Sequence, residues 1–261
     1  MMTSVDWSES GYLKVLDSLL ELGFSSNIDP ITSSTREKEI VLRHDIDFDL
    51  EAAVAVGAMD RSRGYSSMFF VMADCEFYSI STRAGRGALE ELRNQGHSVG
   101  IHWDYRNYSS VPERAKSQFQ LNLTMIEQVT QEPISYSSQH MPTSSVDSAL
   151  LTPPGIVDMY SPLVMDNFAY ISDSSMSWRS KNIFELMQTS KKIVFLAHPL
   201  WWFFPGNQAN DKLQNLEAKK LNVLRASFKD FEDEMIRVLQ ARKEADIQFR
   251  ENRGWTQPNA L

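Results

Sequence analysis

Two hydrophobic rhythms alternate along this chain: stretches with apolar residues every three or four positions, and short, nearly unbroken apolar runs. Leu13, Val15, Leu16, Leu19 and Leu20 recur at mostly helical spacing between Tyr12 and Leu22, so a helix precedes the first strand. Ile40 to Asp47 reads as that strand. The Ala-rich stretch from Leu50 to Met59 favours a helix, with Asp49 placed to cap it and Gly64 to end it. Ser67 to Met72 reads as a second, buried strand. A helix over Ala84 to Asn94 stops at Gly96, and the strand Ser98 to His102 follows. Pro112 opens a helix to about Thr130 with Phe119, Leu123 and Ile126 on one face. Ile134 to His140 is the next strand.

Met141 to Pro162 carries Pro142, Pro153, Pro154 and Pro162 among many Ser and Thr residues, and reads as irregular. Asn167 to Ile171 is a short strand and Ile183 to Gln188 a short helix. Ile193 to Ala197 is almost wholly apolar, as a parallel strand covered on both faces should be. Leu221 to about Phe249 then forms a long amphipathic helix through Val223, Leu224, Phe228, Phe231, Met235, Ile236 and Leu239. Repeated strand–helix alternation without internal repeats predicts one α/β barrel domain over 1–261.

Composition keeps that picture and narrows the chemistry. Of 261 residues, 42% are hydrophobic and 23% charged, as in an ordinary soluble domain. A net charge of −8 argues against nucleic acid or an anionic membrane surface as partner. The lone Cys75 cannot form an internal disulfide. No apolar run approaches the ~20 residues of a membrane span. The N-terminal residues carry neither a basic nor an apolar leader pattern, so the expected compartment is the cytoplasm.

Four of the five histidines close predicted strands: His44, His102, His140 and His198. Strand C-termini of a parallel barrel surround one pocket, so these positions point to a shared site. Asp45 and Asp47 share a strand face, and two carboxylates side by side either share a metal or divide into ligand and base. Asp49 suits capping. His97 lies on the opposite parity to His102 and follows a turn glycine, so it is read as a structural hydrogen bonder. One aspartate with His102 and His140 makes a mixed oxygen and nitrogen set suited to zinc or a similar divalent ion. His198, followed by Pro199, stands where it could act as a general acid. Trp201, Trp202, Phe203 and Phe204 offer flat apolar faces that suit sugar rings, although an aromatic run also suits core packing.

In their order, these motifs resemble the polysaccharide deacetylase (NodB-homology) superfamily, which removes N-acetyl groups from sugars. More narrowly they are similar to its branch associated with lipopolysaccharide and O-antigen biosynthesis. The resemblance spans roughly Val41 to Trp202. It implies a distorted (β/α) barrel of about seven strands and a divalent metal, usually zinc. Carried onto Arg43-His44-Asp45-Ile46-Asp47, it makes Asp45 the base and Asp47 a ligand. The family's second motif has two histidines four apart; here His102 matches the first and Arg106 stands at the second. In the third motif His140 occupies the place of an arginine, and is inferred to replace the missing ligand. Asp173 to Trp178 resembles a pocket-lining motif, and Leu196-Ala-His198 the motif of the general acid. Arg43, Trp103, Asp173, Trp178 and Trp201 are assigned to the substrate pocket.

The function implied is metal-dependent hydrolysis of the N-acetyl group of an acetamido sugar, with a glycan precursor as substrate. Two other readings remain: a C–N hydrolase acting on a small amide or ureide, and a sugar-binding barrel without turnover. A substrate panel separates the first from the favoured reading, and a bound stoichiometric ion separates the second.

Overall fold

The computed structural model describes residues 5–32, 37–142, 151–179 and 182–254. The predicted irregular segment therefore lies partly outside the described residues, at 143–150. The chain divides into two compact units, Met1–Lys212 and Leu213–Leu261.

The first unit is a parallel sheet wrapped by helices. Helix α1 (Glu9–Glu21) leads into the two-residue β1 (Ser25–Ser26) and then β2 (Glu39–Ile46). After them come α2 (Leu50–Ser62), β3 (Met68–Val71), α3 (Arg83–Asn94), β4 (Ser98–Trp103) and α4 (Pro112–Thr130). The chain continues through β5 (Tyr136–Gln139), β6 (Val157–Asp158), α5 (Pro162–Met165), β7 (Ala169–Ser172), α6 (Ile183–Thr189), β8 (Lys192–Ala197) and α7 (Pro199–Phe203). Seven strands run in the order β6-β5-β4-β3-β2-β8-β7, with β1 paired to β2. Every pairing is parallel. This is the distorted (β/α) barrel expected from the sequence. The short β6 and α7 were not predicted: β6 has two residues inside the Pro-rich segment, and Pro199 opens a helix as well as ending β8.

Burial explains why β8 is so apolar. All eight residues of β2 are buried, and five of the six in β8. The period of two then sorts side chains between two cores. Ile46, Phe69, Val71, Ile101 and Trp103 face the helices, packing with Leu89, Leu92, Phe119 and Ile126. Val41, Met68, Phe70 and Val194 face the other way, with Met159, Val164 and Phe168. Arg43, Asp45, Gly100 and His102 share the parity of this second, inner face. Gly100 is needed there, because a Cβ would stand 2.5 Å from the Phe70 ring and 2.9 Å from the Tyr136 carbonyl oxygen.

Local signals hold where they were read. The Asp49 carboxylate accepts from the Ala52 amide at 2.9 Å and caps α2. Gly96 takes φ 89° just after α3, a conformation open to glycine. We expect Asp49→Ala to cost about 1 kcal/mol, visible in a thermal melt as a midpoint lower by about 2–4 °C.

The second unit carries most of α8 (Ala209–Asn252), which begins a dozen positions before the predicted Leu221. Among the described residues no helix is long and apolar enough to cross a membrane.

Candidate active site

Five strands deliver polar side chains to the same end of the sheet. Asp45 lies in β2 and Asp47 follows it; His102 lies in β4; His140 follows β5; Asp173 follows β7; His198 follows β8. Register keeps them level, since His102 pairs with Ser138 and Asp45 with Phe70. All sit at strand C-termini, where the backbone stops pairing and side chains can converge.

Asp47, His102 and His140 meet at the centre. Asp47 Oδ1 lies 3.1 Å from His102 Nε2 and 3.0 Å from His140 Nδ1, and the two nitrogens are 3.3 Å apart. Tautomer logic tests whether these donors suit a cation. His102 Nδ1 lies 2.8 Å from the Ser138 carbonyl oxygen, which can only accept, so Nδ1 carries the proton. In the neutral ring Nε2 then presents its lone pair to a carboxylate oxygen. Only a positive charge between them makes that favourable. With bonds of about 2.0–2.2 Å, a divalent ion would fit three donors spaced like these. The carbonyl contact is the outer-shell support that metal-binding histidines need. The donor set thus fits zinc or a similar ion, with further positions open to water and substrate. Burial works against the Asp47 carboxylate, yet the neighbouring His102, His140 and His198 side chains hold its pKa far below the usual range. His140 is raised, because its bond to Asp47 outweighs burial.

Asp45 stands beside this triangle and is gripped from behind. Arg43 Nε donates to Oδ1 at 3.0 Å and Nη2 to Oδ2 at 2.8 Å; the Ser138 hydroxyl donates to Oδ2 at 2.9 Å. Burial alone would raise the Asp45 pKa, but the Arg43 guanidinium lowers it to about 2. Arg43 is itself fully buried, with its guanidinium carbon 4.4 Å from the Tyr160 ring centre.

His198 closes the opposite side. Its Nδ1 lies 2.6 Å from Asp173 Oδ1, and its Nε2 lies 4.0 Å from Asp47 Oδ2. Asp173 is fully buried and also accepts from the His198 amide and from Trp202 Nε1 at 2.8 Å. Burial would lower the His198 pKa, but the Asp173 carboxylate raises it to about 9. A void of about 10 Å³ lies among Asp45, Asp47 and His198, about the volume of one water. Beside it a cleft of about 380 Å³ is lined by Asp47, Phe48, Asp74, Glu76, Phe77, Asp104, Arg106 and His140.

The other strand-end and sequence-assigned residues have different neighbours. His44 has the opposite parity to Asp45; its ring bonds Asp60 at 2.7 Å and approaches the Tyr12 hydroxyl at 3.4 Å, toward α1 and α2. Three of the four strand-end histidines therefore converge, and the fourth is a core residue. His97 accepts from the Ser67 amide and bonds the Gly57 carbonyl. Trp103 is fully buried on the helix-facing side, edge-on to Tyr108 and Phe119. Trp178 stacks on Trp7 at 4.9 Å, while Trp201 is buried. Arg106 does not approach as a ligand; its Nε donates to Asp104 at 2.9 Å. Ser138 was not assigned from sequence, and Trp202, one of the aromatic run read as sugar platform or core, is buried and donates to Asp173. Ser138 shares a strand parity with His140, which is the signal that would have found it.

No protein-family model matches the sequence, and no curated protein matches it. Among solved structures the chain is similar to a deacetylase PplD from Streptococcus pyogenes, determined in complex with acetate. Identity there is 9% and the TM-score 0.47, covering 82% of this chain and 89% of that one. It is also similar to peptidoglycan deacetylase PdaC from Bacillus subtilis, at 13% identity and TM-score 0.44, covering 88% and 100%. A third is a mutant CE4 family pseudoenzyme with restored enzymatic activity, from Bacillus anthracis, at 12% identity and TM-score 0.44. That match covers 73% of this chain, which spans only 64% of that protein.

Proposed function

We propose that this protein is a metal-dependent deacetylase that hydrolyses the N-acetyl group of an acetamido sugar. The observation that carries this reading is the flanking of one three-donor site by the Asp45 carboxylate, gripped by Arg43, and the His198 imidazole, bonded to Asp173. Amide hydrolysis needs those two groups on either side of the acyl carbon, one to accept a proton and one to donate it.

Asp47, His102 and His140 would hold the ion, and zinc suits their mixed donor set. Such an ion supplies Lewis acidity to the acetyl carbonyl oxygen and to water. Asp45 receives the proton that water loses as its oxygen bonds the acyl carbon. At a pKa of about 2 it stays ionised across the working range, held in place by Arg43 and Ser138. His198 gives its Nε2 proton to the departing nitrogen as the C–N bond breaks, so acetate and a free amine leave. Asp173 and Trp202 Nε1 fix the ring orientation for that transfer. The neighbouring cleft has a volume typical of small-molecule sites and mixes aromatic with polar walls, as sugar binding requires. A precursor of lipopolysaccharide or another surface glycan is the substrate favoured by the sequence resemblance.

The test is acetate release from a panel of acetamido sugars and small amides, followed by product mass, with ion-loaded and chelated protein. An amino sugar formed only by the loaded protein is the expected result. Stoichiometric ion binding without turnover on any acetamido sugar would overturn the proposal.

The charge states also set a pH dependence. His198 acts in its protonated form, so kcat/KM should hold on the alkaline side until pH passes about 9. Asp173→Asn removes the carboxylate that favours imidazolium, and the alkaline limb should move down toward the ordinary histidine value near 6.5. An unmoved limb would mean that another group titrates.

A further inference from the structure

Helix α8 presents an apolar seam whose repeat is that of a coiled coil. Beginning at Leu221, alternate steps of three and four reach Leu224, Phe228, Phe231, Met235, Val238, Arg242, Ala245 and Phe249. A strict seven-residue repeat held over this span is the signature of a two-helix seam. Arg242 alone interrupts it. Leu221, Leu224, Phe228, Phe231, Met235, Val238 and Phe249 are exposed, with Phe228 and Phe231 each at 67%. The seam is about 42 Å long at 1.5 Å per residue.

We infer that this helix pairs antiparallel with α8 of a second copy of the chain, making a homodimer. Charges beside the seam choose both the partner's direction and its register. In a parallel pair Lys220 would face Arg225 of the other copy, twice over, with no opposite-charge pair to offset it. An antiparallel pair one heptad short puts Glu232 against its own copy, and Glu234 likewise. One heptad too far sets Glu232 against Asp246 and Arg225 against Arg253. Between them lies the register with Met235 opposite Val238. There Arg225 faces Asp246 at both ends, and no like charges meet. Core layers also match in volume, since Phe228 falls on Ala245 and Phe231 meets the Arg242 guanidinium, a cation–π contact. Leu239 flanks the seam and broadens it. Asp246 already bridges Arg250 on its own helix at 2.9 Å, which would orient it for the second cation.

Sedimentation of the full chain at micromolar concentrations reads the assembly directly. The expected species is a dimer whose dissociation constant rises at least tenfold in Arg225→Glu and recovers in Arg225→Glu/Asp246→Arg. A parallel pair would respond oppositely, because Arg225→Glu would then attract Lys220 and tighten the dimer. Phe228→Glu/Met235→Glu should give monomers that still bind one divalent ion, which shows that the first unit remains folded. A wild-type monomer at high concentration, or an Arg225→Glu dimer tighter than wild type, overturns the inference.

Discussion

Replacing His102 with alanine is expected to remove the stoichiometric divalent ion and hydrolytic turnover together. His102 supplies two of the three short edges in the donor triangle, at 3.1 Å to Asp47 and 3.3 Å to His140. Its loss leaves one carboxylate and one imidazole, which is too few for a stable site. Without the ion, the pKa of water returns from about 7 toward 15.7, and Asp45 is too weak a base to make up that difference. Metal analysis of purified protein and an acetate assay measure the two losses separately. Arg106→Ala is the informative control. Although it stands four positions after His102, its side chain bonds Asp104, so that variant should keep its ion. Full ion content in His102→Ala would refute the site.

Removing Arg43 should have the largest effect on stability. Arg43 and Asp45 are both buried and bonded through two N–H···O contacts. Arg43→Met leaves a buried carboxylate without its cation, at a cost of about 3–5 kcal/mol and a melting midpoint lower by about 10 °C. Removing the second charge as well, in Arg43→Met/Asp45→Leu, should restore much of that loss while leaving no turnover. A pH series adds a check. Asp45 is held below its unfolded value, so its contribution to wild-type stability is present above about pH 4 and fades as pH falls toward 2. Arg43→Met should lack this component. Equal melting points for wild type and Arg43→Met would show that the pair does not hold the barrel together.

Much of this arrangement was legible in the chain because of two periodicities. Strands covered on both faces are largely apolar, which is why β3 and β8 stood out. A histidine or aspartate at the end of such a run contradicts its surroundings, and that contradiction marked Asp47, His102, His140 and His198. The same period of two places Trp103 and His44 on the helix-facing side, away from the pocket. Where the text of the chain is silent, local rules fail. β6 is two residues long and gains its identity only by pairing with β5. Arg43 is assigned to the pocket with the residues of the resemblance, yet Asp45 two positions on neutralises it within the core. The Asp104–Arg106 pair and the Trp202–Asp173 bond depend on loop geometry that no spacing encodes.

Ser138 serves two masters: its hydroxyl holds Asp45 while its carbonyl sets the His102 tautomer. The carboxylate proposed as proton acceptor and a histidine proposed to hold the cation are therefore fastened to one residue of one strand. A displacement of β5 against β4 would loosen the Asp45 and His102 contacts together. The cost of this economy is evolutionary: whatever displaces the backbone at position 138 disturbs both contacts at once, and a side chain without a hydroxyl there loses the bond to Asp45.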